Sequence, residues 1–357
     1  METPIKLKGD SQLNALIGYG QSGLVNLGNT CFLNTALQCL SSVKFFMGYF
    51  LSDQYLEDIN MKKKEHEFVE QYAELMKVFW QENCDIKPTG LKDVMGKFYD
   101  PYAGFRQNDS AECYAKIVEL LHEGMCYNVE ITPIIKTAEP TQLDKIKLEA
   151  IAEWKRRYSN NYSIPLKLFH GQYWSRSKCM ECGNISSSYD PFGIINLPIT
   201  KSTNTLEDCI NEYVLSETMD GGNQIVCETC DKKCIGKRKS TVWKMPPVLT
   251  ICFNRYDDFG RKIAKHIEYP INKVSFSTLA ERQEDKRAIY DLVAVANHSG
   301  GLQGGHYWSY GKGADGKWYC YNDESVDEMD KISDVVSNTA YYIVYVKRGI
   351  SSEIVIS

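Results

Sequence analysis

Cys31 stands at the head of a long apolar stretch, directly behind Gly23-Leu-Val-Asn26-Leu-Gly28-Asn29-Thr30. A thiol at the start of a helix faces unpaired backbone N–H groups and the positive end of the macrodipole, which lowers its pKa and favours the thiolate. The polar, glycine-containing loop before it lets the backbone approach a substrate, and Asn26 can add a side-chain N–H to an oxyanion hole. Near the other end, His306 follows the pair Gly304-Gly305 and opens the β-prone run Tyr307–Tyr310. Further on, Trp318-Tyr-Cys-Tyr321-Asn322-Asp323 reads as a neighbouring strand that ends in two acceptors for an imidazole N–H. Pairing of the two runs as a hairpin lets His306 and Asn322 meet. Nucleophile, base and orienter are the parts of a cysteine hydrolase that works by acyl transfer.

A second constellation is metal-like. Cys179-Met-Glu-Cys182 and Cys227-Glu-Thr-Cys230 are two C-x-x-C pairs, each able to give two thiolates to one tetrahedral Zn²⁺. Four thiolates close the shell, so the metal is structural and not catalytic, and the spacing puts the pairs at the tips of two hairpins. Cys234 is a spare that can replace Cys230. Lys232, Lys233, Lys237, Arg238, Lys239 and Lys244 surround the second pair, as in a zinc-dependent nucleic-acid module or a solvated hairpin tip. Gly18-Tyr-Gly20-Gln-Ser-Gly23 matches the dinucleotide fingerprint formally, but it lacks the strand before it and the acidic residue after it, and reads as a loop.

The whole chain sharpens these readings. Its 41 basic and 46 acidic residues give a net charge of −5, which argues against nucleic acid as the main partner. Thirteen cysteines, an odd number irregularly spaced, do not form a disulfide framework. Neither a signal peptide nor an apolar run long enough to span a bilayer is present, so the expected setting is intracellular, cytoplasm and/or nucleus, with no membrane partner.

These groups need elements to hold them. Apolar residues at three- and four-residue steps from Phe32 to Phe50 read as one buried helix, with further helices at 65–80, 109–121 and 141–158. Cys39, Cys113 and Cys126 read as buried small residues in this half. After about residue 165 short β-prone runs take over: Val248–Phe253, Tyr290–Ala296, Tyr307–Tyr310, Trp318–Tyr321 and Tyr341–Val346. Helices first and strands second predict an α+β fold with an antiparallel sheet.

With those pieces in place, the chain resembles the ubiquitin-specific proteases, papain-like deubiquitinating enzymes. Gly23–Leu40 is similar to their cysteine box, and Tyr290–Tyr310 with Trp318–Val326 to their histidine box. Gln107-Asn-Asp109-Ser-Ala-Glu112, Phe169-His-Gly171, Asp190-Pro-Phe192, Leu197-Pro198, Pro247-Val-Leu249 and Ala340–Tyr345 are further matching segments, so the likeness runs over residues 20–348. Departures are Cys113 where a Phe is usual, Cys252-Phe-Asn-Arg255-Tyr for a Leu-Lys-Arg-Phe run, and Asn322 where Asp is frequent.

The resemblance implies a papain-like fold with a helical thumb, an antiparallel β palm and zinc-bearing β fingers at about 170–245, flanked by tails at 1–19 and 349–357. It implies Cys31 as nucleophile, His306 as base, Asn322 as third member and Asn26 at the oxyanion. Gln107, Asp109, Glu112, His298, Gly305, Tyr307 and Asp323 would meet the ubiquitin tail, with Ser299–Gly305 as a loop that moves on its entry. Cys179, Cys182, Cys227 and Cys230 would hold one structural Zn²⁺ per chain, with no cofactor for catalysis. The partners would be ubiquitin and its conjugates, with room for an unidentified activating protein. The alternative is a catalytically silent ubiquitin-binding scaffold of the same fold.

Overall fold

Helix α1 (Cys31–Ser41) buries every one of its residues. A helix hidden on all sides must satisfy its polar side chains internally. Asn34 Nδ2 donates to the Leu24 carbonyl at 3.0 Å, and Gln38 Nε2 to the Ser22 carbonyl at 2.8 Å. The chain is seen in a computed structural model that describes residues 18–132, 141–301 and 304–350, with short strands at Ile5–Lys6 and Glu353–Ile354. The tails expected at 1–19 and 349–357 lie almost wholly outside the described residues, as do Leu302 and Gln303 of the glycine-rich segment.

The single helix expected from Phe32 to Phe50 is two. α1 stops at Ser41, and α2 (Lys44–Leu51) begins after a break in which Val43 adopts ψ 81. The apolar rhythm runs through the break because Leu37, Leu40, Val43, Phe46 and Phe50 all enter one core. α3 (His66–Gln81), α4 (Thr89–Phe98) and α5 (Ser110–Gly124) pack around it. α6 (Gln142–Tyr158) starts with a capping box between Thr141 and Asp144, and α7 (Ile164–Phe169) leads into the sheets.

The larger sheet has eight strands. Those that matter here are β1 (Ile194–Pro198), β2 (Val248–Asn254), β3 (Ile289–Gly301), β4 (Gly304–Lys312), β5 (Trp318–Asn322), β6 (Ser325–Glu328) and β7 (Ala340–Lys347). Their order is β6-β5-β4-β3-β7-β2-β1. Every pair is antiparallel except the edge, where β1 runs parallel to β2 with Thr250 opposite Ile194. Alternate side chains serve opposite faces: Tyr342 and Val344 join the helical core, while Ile343 and Tyr345 join a second core with Leu249, Phe253 and Leu292. Burial on both faces explains why these strands read as unbroken apolar runs.

A second sheet projects from this body. It is built on β8 (Gly171–Cys179), β9 (Ile185–Ser188) and β10 (Gly236–Lys244), and a separate hairpin of β11 (Ile225–Cys227) and β12 (Lys232–Cys234) lies beside its tip. Helix α6 supports its root, where Ala150 packs with Tyr189 and Trp243. The mixed fold is therefore α+β, with a helical half, a palm-like sheet and a finger-like extension.

Candidate active site

The loop into α1 is held by its own side chains. Asn26 Oδ1 accepts from the N–H groups of Gly28 and Thr30, both at 3.0 Å, and Leu27 N–H donates to the Thr30 hydroxyl at 2.8 Å. Gly28 has φ 99, a left-handed backbone that favours glycine. Because the Thr30 hydroxyl is turned back into the loop, no side chain caps α1. The Leu33 and Asn34 N–H groups donate to the Thr30 carbonyl, and those of Cys31 and Phe32 stay turned to the sulfur, as an oxyanion site requires.

Cys31 is 3% exposed and lies against β4, whose Tyr307 N–H donates to the sulfur. In β4, His306 sits beyond the end of the ladder with β5, which closes with Ser309 opposite Tyr321. Its Nε2 meets Asn322 Oδ1 at 2.6 Å. That contact requires the proton on Nε2, and leaves Nδ1 as the nitrogen able to take another.

Asp323 does a different job. It adopts φ 50, and its carboxylate takes partners other than the His306 ring that Asn322 meets. One oxygen accepts from Asn26 Nδ2 at 2.9 Å and the other from Asn34 Nδ2 at 2.8 Å. Its carbonyl accepts from Leu24 N–H at 2.8 Å. Asp323 thus ties the Asn26 loop and α1 to the end of β5.

The Cys31 thiol is held up in the resting structure, not lowered as its place at a helix start leads one to expect. Burial is the largest influence and pushes the thiol up, Asp323 adds to it, and the Tyr307 N–H only partly offsets it. Desolvation of the charged form outweighs the helix terminus here. Iodoacetamide should consequently modify Cys31 slowly at pH 7, with a rate that rises with pH to above the ordinary thiol value of about 8.5. A rate already at its plateau by pH 7 would contradict this.

The residues expected along a substrate tail gather beside this site. Gln107 pairs with Gly305 in both directions, Nε2 to the carbonyl at 3.0 Å and Oε1 from the N–H at 2.9 Å. Asp109 caps α5, accepting from Glu112 N–H at 2.9 Å. Its other oxygen accepts from the hydroxyls of Tyr341 at 2.5 Å and Tyr307 at 3.4 Å. Glu112 is exposed in the first turn of α5. His298 is buried, stacks on Tyr307 at 4.3 Å, and receives Lys262 Nζ at its Nδ1 at 3.2 Å. Burial first, and then Lys262, brings its pKa down to about 4, so the ring is neutral. Sequence reasoning missed Tyr341, Lys262 and Asn34. Of these only Asn34 had a signal, a place on the polar stripe Thr30, Asn34, Gln38 and Ser41 of a helix otherwise apolar.

At the tip of the extension, the turn after β8 and the turn after β11 bring four cysteines together. The sulfurs of Cys179, Cys182, Cys227 and Cys230 all lie within 4.8 Å of one another. Cys182–Cys227 is 3.5 Å and Cys179–Cys230 is 4.0 Å. Four thiolates around Zn²⁺ at ~2.3 Å have edges of about 3.8 Å, so the donor set fits a tetrahedral metal. Backbone N–H of Cys182 brings the Cys179 thiol down to about 6, whereas crowding against Cys182 pushes Cys230 up. A cation relieves that crowding.

A family model described as ubiquitin carboxyl-terminal hydrolase matches residues 22–345. The chain belongs to that family. It is similar to ubiquitin carboxyl-terminal hydrolase 2 of Bos taurus, 30% identical over 353 residues that cover 94% of this chain and 57% of that protein. Ubiquitin carboxyl-terminal hydrolase 21 of Bos taurus is also 30% identical over 353 residues, covering 92% of this chain and 62% of that protein. The chain thus spans a little over half the length of these hydrolases. Among solved structures, a SAGA DUB module of Ubp8, Sgf11, Sus1 and Sgf73 bound to monoubiquitin has a chain that superposes with a TM-score of 0.69. It covers 98% of this chain and 72% of that one at 20% identity, which speaks to a shared fold. Within the hydrolase family, then, the thumb, palm and fingers expected from the sequence are the helical half, the eight-stranded sheet and the cysteine-tipped extension. Among the described residues, no helix is long and apolar enough to cross a membrane.

Proposed function

We propose that the chain is a cysteine-type ubiquitinyl hydrolase, cutting isopeptide or peptide bonds at the C-terminal glycine of ubiquitin. The observation that carries this is the His306–Asn322 contact at 2.6 Å beside the uncapped helix that starts at Cys31. Relatives named for ubiquitin C-terminal hydrolysis, and DUB modules solved with monoubiquitin and with ubiquitin aldehyde, support the substrate. The catalytic domain is residues 20–348, with fingers at about 170–245.

Chemistry starts from a protonated thiol. His306 Nδ1 takes the Cys31 proton as the sulfur attacks the terminal carbonyl, and Asn322 keeps the ring in the tautomer that permits it. The tetrahedral oxyanion receives an N–H from Asn26 and the backbone N–H of Cys31. His306 then protonates the leaving amine and activates the water that releases the thioester. Asp323 sets Asn26, while Gln107, Asp109, Glu112, His298, Gly305 and Tyr307 guide the tail to the sulfur.

Cys179, Cys182, Cys227 and Cys230 would hold one Zn²⁺ per chain, and the metal would supply rigidity at the finger tip. Protein purified without chelator should carry about one equivalent of zinc, and a strong chelator should destabilise the fingers, read as faster proteolysis of the 170–245 region. Zinc-free protein whose four thiols alkylate freely in the native state would overturn the metal reading. Thirteen free cysteines support a reducing, intracellular setting. The reaction itself is tested with a fluorogenic ubiquitin C-terminal substrate. Turnover is the expected result, and ubiquitin binding with no turnover would make the chain a silent scaffold.

A further inference from the structure

We propose that Cys234 is a built-in reserve ligand of the fingers metal site, exchangeable with Cys230; this rests on the zinc reading above. A structural zinc needs four thiolates, yet five cysteines meet at this tip. Cys234 is 0% exposed and packs in the same small cluster as Cys179 and Cys227. Its sulfur, the Cys230 sulfur and a Glu181 carboxylate oxygen all lie within 4.8 Å of one another.

Cys230 is the ligand whose sulfur Cys234 approaches, and it lies in a turn, not in a strand. It is partly exposed, its contact with Cys179 is the longer of the two sulfur pairs at 4.0 Å, and the next residue, Asp231, has φ 49. A left-handed residue that is not glycine marks a turn held by its surroundings. Cys234 instead sits in β12, whose register with β11 pairs it with Ile225. The firmer element thus carries the spare thiol, and the looser turn carries the ligand it can replace.

The exchange balances without an outside reagent. The bond from the metal to Cys230 breaks, one to Cys234 forms, and the Cys234 proton passes to the Cys230 sulfur. The two sulfurs lie within 4.8 Å of each other, close enough for that transfer, with Glu181 beside them held by Lys232 at 2.7 Å. The shell keeps four thiolates and the same net charge throughout.

The test is metal content and spectroscopy of Cys230→Ala, Cys234→Ala and the double variant in the full chain. Wild type and both single variants should each retain about one zinc, and the double variant should lose most of it. With Co²⁺ in place of zinc, Cys230→Ala should keep the thiolate-to-metal charge-transfer intensity of four sulfurs, and adding Cys234→Ala should reduce it. Cys230→Ala with zinc already lost, or with a three-sulfur spectrum that Cys234→Ala leaves unchanged, overturns the proposal while wild-type zinc preserves the parent reading. Zinc-free wild type overturns both. If Cys230→Ala does not fold, limited alkylation of the zinc-loaded wild type decides the matter. Singly modified chains should carry the label on Cys230 or on Cys234, never on both while zinc remains. Chains that keep zinc with both thiols modified contradict the exchange.

Discussion

Cys31→Ala abolishes turnover of a ubiquitin substrate, by about 10⁴-fold or more, and leaves ubiquitin binding intact. Loss of the nucleophile removes the covalent route altogether, and known nucleophile deletions have effects of that size or larger. Binding survives because the residues assigned to the tail stand on the loop into α5 and on α5, β3 and β4, while the substitution removes one sulfur from the first residue of α1. Burial of Cys31 makes alanine a small apolar replacement there. Binding is read by titration with ubiquitin and turnover with a fluorogenic substrate. A Cys31→Ala protein that retains appreciable turnover would remove Cys31 from the role.

Asn322→Ala lowers kcat by about 10–1000-fold and changes KM little, because a misoriented base costs transition-state stabilisation and not binding. Its carbonyl oxygen is the group at 2.6 Å from His306 Nε2. Asn322→Asp should be tolerated, since a carboxylate accepts from the same N–H. Asp323→Asn is the informative companion. Asparagine tolerates the left-handed backbone at this position, so the turn survives. Its amide, however, presents N–H to one of two donors, Asn26 Nδ2 or Asn34 Nδ2, where the carboxylate accepts from both. One of those contacts must break, and displacement of Asn26 should lower kcat by about 10–100-fold through the oxyanion site. Kinetics of the three variants separate the two jobs. Near-wild-type Asn322→Ala beside a crippled Asp323 variant would move the third triad position to Asp323.

Much of the site was legible because each chemical group sits at a boundary that sequence marks. Cys31 opens an apolar helix behind a polar loop, His306 follows two glycines, and Asn322 ends a strand. The paired C-x-x-C motifs were legible for the same reason, since each occupies a hairpin turn. What escaped depends on distance along the chain. Asp323 reaches Asn26 and Asn34 across nearly the whole sequence, Tyr341 reaches Asp109, and Lys262 reaches His298. No local pattern encodes such pairs. The break after Ser41 was hidden because α1 and α2 bury their apolar faces in one core, which keeps the rhythm unbroken. The direction of β1 was hidden because side-chain alternation is the same in parallel and antiparallel strands. The protonation of Cys31 was misread because helix position is visible in sequence and depth of burial is not.

The most direct test of the account is reaction of the native chain with ubiquitin carrying a C-terminal electrophile, followed by mapping of the modified residue. One ubiquitin should add per chain, attached to Cys31 alone among thirteen cysteines, with no adduct from Cys31→Ala. Attachment to another cysteine, or an absence of adduct from a chain that binds ubiquitin, would contradict it.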